Sequence, residues 1–177
     1  MQQDNIRNQV DAGGGALYDI GCYPIVAGRF MFEAEPVRVG ALMDRDPTFQ
    51  TERTVSAVLD FGDGRRLDFT VSTQSAPYQR LHLVGTRQRL EIEIPFNAPA
   101  NGATRFFTDD GALPGVANAE VHTLAPCDQY TLQGDAFSQA IRGELPLPYG
   151  LEDAIQNMHI IDALFRSEQS GRWEVLG

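Results

Sequence analysis

Cysteine, positive charge and long apolar runs are all scarce in this sequence, and each scarcity removes a class of function. Only two cysteines occur, Cys22 and Cys127, far apart and in contexts that read as a helix and a loop, so two separate thiols are expected and not a disulfide framework. No apolar run approaches the roughly 20 residues that a membrane-spanning helix needs. The N-terminus, Met-Gln-Gln-Asp-Asn-Ile-Arg-Asn, has no basic region ahead of an apolar stretch and so does not read as a secretory signal. Cytoplasm is the expected compartment, with no membrane partner. Fourteen basic residues stand against twenty-four acidic ones, a formal charge of −10 that repels polyphosphate and argues against nucleic acid. A neutral, hydroxyl-rich ligand suits such a chain better.

Several chemical signatures are missing as well. His82, His122 and His159 show no metal-ligand spacing and read as ordinary strand and helix residues, so no metal is expected. There is no Gly-x-Ser-x-Gly elbow, and neither cysteine has a nearby histidine, which removes support for nucleophilic hydrolysis. No strand leads into Gly-x-Gly-x-x-Gly, so the dinucleotide fingerprint is absent. Asp153 and Asp162, both on the last predicted helix, read as a solvated face or as interhelical contacts.

What is present is an ordinary globular composition, 42% hydrophobic and 21% charged, over 177 residues, a length that predicts one compact unit. A polar stretch over residues 1 to 12 ends at Gly13-Gly14-Gly15, and an apolar, helix-like pattern then runs through Phe32. Ala16, Leu17, Ile20, Tyr23, Pro24, Ala27 and Phe30 approximate its buried face, and Pro24 is placed to kink it or delimit its first turn. From 37 to 94 the period becomes two. A strand over 37 to 43 comes first. Val55, Ala57, Leu59 and Phe61 then alternate with polar neighbours, Asp63-Gly64 turns the chain, and Leu67, Phe69 and Val71 return. A second meander turns through Thr86-Arg87-Gln88, with Glu91 and Glu93 on its polar side. A long excursion over 95 to 119 includes a short strand near 104 to 108, and another strand is expected near 120 to 124. Two helices are expected near 128 to 143 and 151 to 169, Gly171 ending the second, and Trp173 reads as the anchor of a terminal strand. The fold class is α+β: a mostly antiparallel open sheet with helices on one face, the other face carrying Thr54, Ser56, Val58, Thr70 and Glu91 and free to pack on another subunit.

The segment richest in chemistry is Gly13-Gly14-Gly15-Ala16-Leu17-Tyr18-Asp19-Ile20-Gly21-Cys22-Tyr23-Pro24. Asp19 and Tyr23 are four apart, which on a helix sets a carboxylate one turn from a phenol on one face. Such a pair can orient a substrate hydroxyl and pass a proton, while Gly14 and Gly15 let backbone approach a ligand closely. The plainer reading remains open: Asp19 as a helix cap, Tyr23 as a half-buried aromatic with a satisfied hydroxyl.

Gly-Gly-Gly-Ala-Leu-x-Asp-x-Gly-x-Tyr-Pro resembles the opening of the C-terminal domain in the glucose-fructose oxidoreductase and inositol dehydrogenase (Gfo/Idh/MocA) family, especially its xylose dehydrogenase and dihydrodiol dehydrogenase-like branch. A second stretch, Tyr130-x3-Gly134-x2-Phe137-x3-Ile141-Arg142-Gly143-Glu144 with Pro146, Pro148, Asp153-Ala154, Asp162-Ala163 and Ser167, is similar to that family's closing helices. The resemblance implies that residues 1 to 177 are a substrate-binding and oligomerisation domain, that a Rossmann domain carrying NAD or NADP precedes it in the full-length protein, and that members associate through the sheet as homodimers or larger. It also implies a sugar-like substrate, with Asp19 orienting it and Tyr23 bonded to the reacting hydroxyl. Many members have histidine where Tyr23 stands, and a phenol, ordinarily titrating near pH 10, is a poorer base at neutral pH. The family's Glu-Lys-Pro motif is absent, as is lysine altogether. The chain alone is therefore expected to bind no cofactor and to show no turnover. The alternative is a non-catalytic oligomerisation or ligand-binding module of the same fold.

Overall fold

The computed structural model describes residues 4–112 and 118–177; residues 1–3 of the polar N-terminal stretch and 113–117 of the excursion expected over 95 to 119 lie outside them. The architecture is α+β and antiparallel, as expected, but the strands divide between two four-stranded sheets. Instead of one compact unit, the chain forms two, one from residues 1–75 and 149–177 and the other from 76–148.

The first unit opens with short 3₁₀ turns over Ile6–Asn8 and Val10–Ala12, then a π-type turn, Leu17–Gly21, that runs directly into helix α1, Cys22–Phe32. The wide turn lies just before Pro24, whose ring nitrogen has no N–H to continue the ladder back to Ile20. One extra residue in the turn shifts the phase of everything after it. Leu17, Gly21, Ile25 and Gly28 are buried, whereas Tyr23 and Phe30, expected on the buried face, are exposed. Strands β1 (Arg38–Arg45), β2 (Glu52–Asp60) and β3 (Arg66–Ser72) form a meander, with Val55 opposite Val71 and Ala57 opposite Phe69. The hairpin closes through Phe61 N–H to Arg65 O at 3.0 Å, and Asp63 and Gly64 both take positive φ, as the turn predicted there requires.

After the second unit the chain returns as helix α3 (Leu151–Ser170), capped by Gly171 in the left-handed region, and ends in β8 (Glu174–Val175), which pairs with β1. The sheet order is therefore β3-β2-β1-β8. Leu17, Ile25, Val39, Val55, Leu59, Ile161 and Leu164 are fully buried between this sheet and its helices. Each such side chain contributes about 1.5–3 kcal/mol by leaving water. Arg29, itself buried, ties α1 to α3 through Asp153 at 2.8 Å and also holds Glu35 at 2.8 Å. The opposite sheet face is wet: Ser56 bonds Thr70 at 2.9 Å and Thr54 bonds Ser72 at 3.1 Å. Leu42 is 78% exposed there, and Trp173 lies over Gly40 with Arg38 4.8 Å from its ring.

The second unit is a meander of β4 (Leu81–Val84), β5 (Arg89–Ile92), β6 (Thr104–Asp109) and β7 (Glu120–Leu124), followed by α2 (Gln129–Ile141). Asp128 caps α2 by accepting the Tyr130 and Thr131 amides. Glu91 belongs to this sheet and so does not share a face with Thr54 and Ser56. None of the described residues of α2 is buried, so the expectation that both helices cover the sheet holds for α3 and not for α2. The period-two pattern is the same in either sheet, which is why the sequence alone does not reveal the split.

Candidate functional site

The Gly13–Gly15 turn, the π turn and the start of α1 form one continuous segment, and three contacts hold it in place. Tyr18 packs on Phe165 of α3 with ring centroids 5.3 Å apart. Asn157 of α3 reaches the Cys22 carbonyl at 3.4 Å. From below, the Glu52 carboxylate of β2 accepts the Leu17 N–H at 3.1 Å. A π turn of this kind is an irregularity that recurs at functional sites, and here it carries Asp19.

Asp19 is one-quarter exposed and receives the Arg7 Nε at 2.7 Å. That pair, with a smaller contribution from nearby Tyr23, raises the Arg7 guanidinium above its ordinary value. Asp19 and Tyr23 thus stand on the same short segment, both reachable from solvent, and one guanidinium bears on both. Arg7 was not singled out from sequence; the available signal is that it is the only basic residue ahead of Arg29.

Gly14 and Gly15 serve a different contact from the one expected. Gly15 has φ +122°, and the place its Cβ would take is filled by the Glu52 carboxylate. At Gly14 a Cβ would lie 2.6 Å from the Ile6 carbonyl oxygen and 2.7 Å from that of Arg7. The close approach that these glycines permit is therefore made by the protein's own oxygens. Oxygen atoms crowding the turn are the opposite of the N–H cradle that a pyrophosphate needs. This triplet does not fit a dinucleotide phosphate.

A cavity of about 310 Å³ adjoins the segment, lined by Gly14, Tyr18, Arg45, Gln50, Glu52 and Phe165 among others, and by neither Asp19 nor Tyr23. Burial pushes the Glu52 carboxyl and the Tyr18 phenol up. Glu52 itself was missed in the sequence, where the strand alternation gives it no distinction.

Two of the three histidines have structural partners. His122 stacks on Phe106 at 4.4 Å and bonds Thr108 at 2.8 Å, and His82 is 3.9 Å from Glu91. Cys22 and Cys127 are free thiols. Among the described residues, no three His, Cys, Asp or Glu side chains are grouped to hold a metal ion.

Residues 1–91 match the model of the GFO/IDH/MocA C-terminal domain. The chain belongs to that family. Within it, an uncharacterized oxidoreductase of Rhizobium meliloti, ORF334, is 44% identical over 176 residues, 99% of this chain and 53% of that protein. D-xylose 1-dehydrogenase (NADP(+)) 2 of Haloferax volcanii is 30% identical over 172 residues, 95% of this chain and 50% of that protein. The crystal structure of KijD10, a 3-ketoreductase from Actinomadura kijaniata in complex with NADP and TDP-benzene, matches with a TM-score of 0.83 and 27% identity over 94% of this chain and 50% of that one. The chain spans about half the length of the curated relatives it matches.

Proposed function

We propose that this chain is the substrate-binding C-terminal part of an NAD(P)-dependent oxidoreductase acting on a sugar, a polyol or a related hydroxyl or carbonyl compound. The observation that carries the reading is the Asp19 and Tyr23 pair, both solvent-reachable, Asp19 on the π turn and Tyr23 at the start of the helix that continues it, a segment held by α3 and β2. Asp19 accepts from a substrate hydroxyl and orients it; Tyr23 bonds the reacting oxygen; Gly14 lines the adjoining cavity, and Gly15 acts by admitting Glu52. NAD or NADP supplies hydride chemistry from a nucleotide domain elsewhere in the full-length protein, since the Gly13–Gly15 turn does not fit it.

The same unit supports a second role. Leu42 and Val175, 78% and 74% exposed on the outer sheet face, and the half-exposed Trp173 favour pairing with a second copy of the chain as a homodimer or larger. The two roles are compatible within a cytoplasmic protein with unbridged thiols.

The full-length protein, incubated with NAD(P) and a panel of aldoses and polyols, is expected to change absorbance at the nicotinamide band, and residues 1–177 alone to give no turnover. Activity from residues 1–177 alone, or a coding sequence upstream lacking both a Rossmann fingerprint and Glu-Lys-Pro, contradicts this reading.

A further inference from the structure

We propose that Glu52 is a positioning residue for the Asp19 site, locking the Gly15 turn and the first amide of the π turn so that Asp19 is presented in one direction. The proposal rests on the oxidoreductase reading above. Glu52 is only 4% exposed, so it is shielded from solvent while Asp19 is not. Its inward direction comes from a bulge: Asp44 pairs with Thr54 but Arg45 pairs with Glu52, skipping Arg53. Such irregularities re-aim a side chain beside a site.

Once inside, the carboxylate makes two contacts with the segment. It accepts the N–H of Leu17, two residues before Asp19, and fills the space left by the missing Cβ of Gly15. Behind it, Arg45 supplies compensating charge while held bidentately by Glu168 at 2.7 and 3.3 Å. A chain Glu168, Arg45, Glu52, Leu17 therefore leads from α3 through two strands to the turn that carries Asp19. Burying a carboxylate is costly, and a plain cap would not need a glycine at φ +122° to admit it.

The test uses the full-length protein with Glu52→Ala, Glu52→Gln and the double variant with Asp19→Asn. Loss of the lock is expected to lower kcat/KM by at least about tenfold in Glu52→Ala, since small misplacements cost that much or more. Glu52→Gln, which keeps the acceptor for Leu17, is expected to recover most of it. In the double variant the loss is expected to match Asp19→Asn alone, because residues acting as a unit are not additive. Additive losses, or a Glu52→Ala enzyme as active as the wild type while Asp19→Asn is not, overturn the proposal. Should the wild type show no oxidoreductase activity, the functional reading fails by itself, and amide exchange still decides the local claim. Faster exchange confined to residues 15 to 21 in Glu52→Ala, with 160 to 164 still protected, supports the lock; unchanged exchange there overturns it.

Discussion

Arg7 donates its Nε to Oδ2 of Asp19 across 2.7 Å, joining the N-terminal 3₁₀ turn to the π turn twelve residues later. Arg7 is 55% exposed and Asp19 25%, so the pair contributes little to folding. Its consequence is the rotamer of Asp19. Arg7→Ala in the full-length protein is expected to leave Tm nearly unchanged while lowering kcat/KM, by up to about a hundredfold. Exposed pairs are screened by ions, with a Debye length of about 3 Å at 1 M salt. Steady-state kinetics over a salt series should accordingly show a decline in the wild type that the variant lacks.

Asp19 and Tyr23 separate by chemistry. Asp19→Asn keeps the shape but removes the charge that Arg7 meets and that the proposed role offers to a substrate hydroxyl, and it is expected to lower kcat about 10²- to 10⁴-fold. Tyr23→Phe deletes one hydroxyl and should raise KM as well as lower kcat. Equal, small effects of both variants would remove the pair from the reaction.

Two carboxyls give opposite pH dependences. Asp46 is held below the usual carboxylate range, first by the Gln74 side chain and then by the Thr48 and Phe49 amides. Its folded-state affinity for protons is depressed, so its stabilisation is present above about pH 4 and is lost as pH falls through the folded value. Burial raises Glu52 instead. Its contribution is fully present below about pH 4 and is lost as pH rises through the folded value. Thermal melts should therefore show Asp46→Asn closing its gap to wild type on acidification, and Glu52→Gln gaining on wild type as pH rises.

Position on the first sheet decides what a leucine does. Leu59 is fully buried and Leu42 is 78% exposed on the other face. Leu59→Ala is expected to destabilise by about 2–5 kcal/mol in denaturant titration. Leu42→Glu should change stability by only about 0.5 kcal/mol in the unpaired chain, yet shift light scattering toward smaller species. An unchanged mass would argue against pairing through this face.

Much of the fold is legible because it rests on periodicity. Val55, Ala57 and Leu59 against Leu67, Phe69 and Val71, with Asp63-Gly64 between them, specify both the hairpin and its buried face. The ends of α2 and α3 follow from Asp128 and Gly171. The Gly13–Pro24 segment is likewise recognisable, and with it Asp19 and Tyr23 as candidates.

Tertiary structure decided everything that depends on a phase change or a distant partner. One added residue in the π turn rotated Tyr23 and Phe30 outward, and one skipped residue at Arg53 turned Glu52 inward. Alternation along a strand or helix presumes an unbroken phase, so neither slip is visible in the sequence. The division into two sheets depends on which strands pair, and the contacts of Asp19 with Arg7 and of Gly15 with Glu52 depend on residues that only folding brings together. By itself, the sequence determined most of the elements, the buried face of the β2–β3 hairpin and the segment that holds the candidate residues; the direction in which those residues face came from packing.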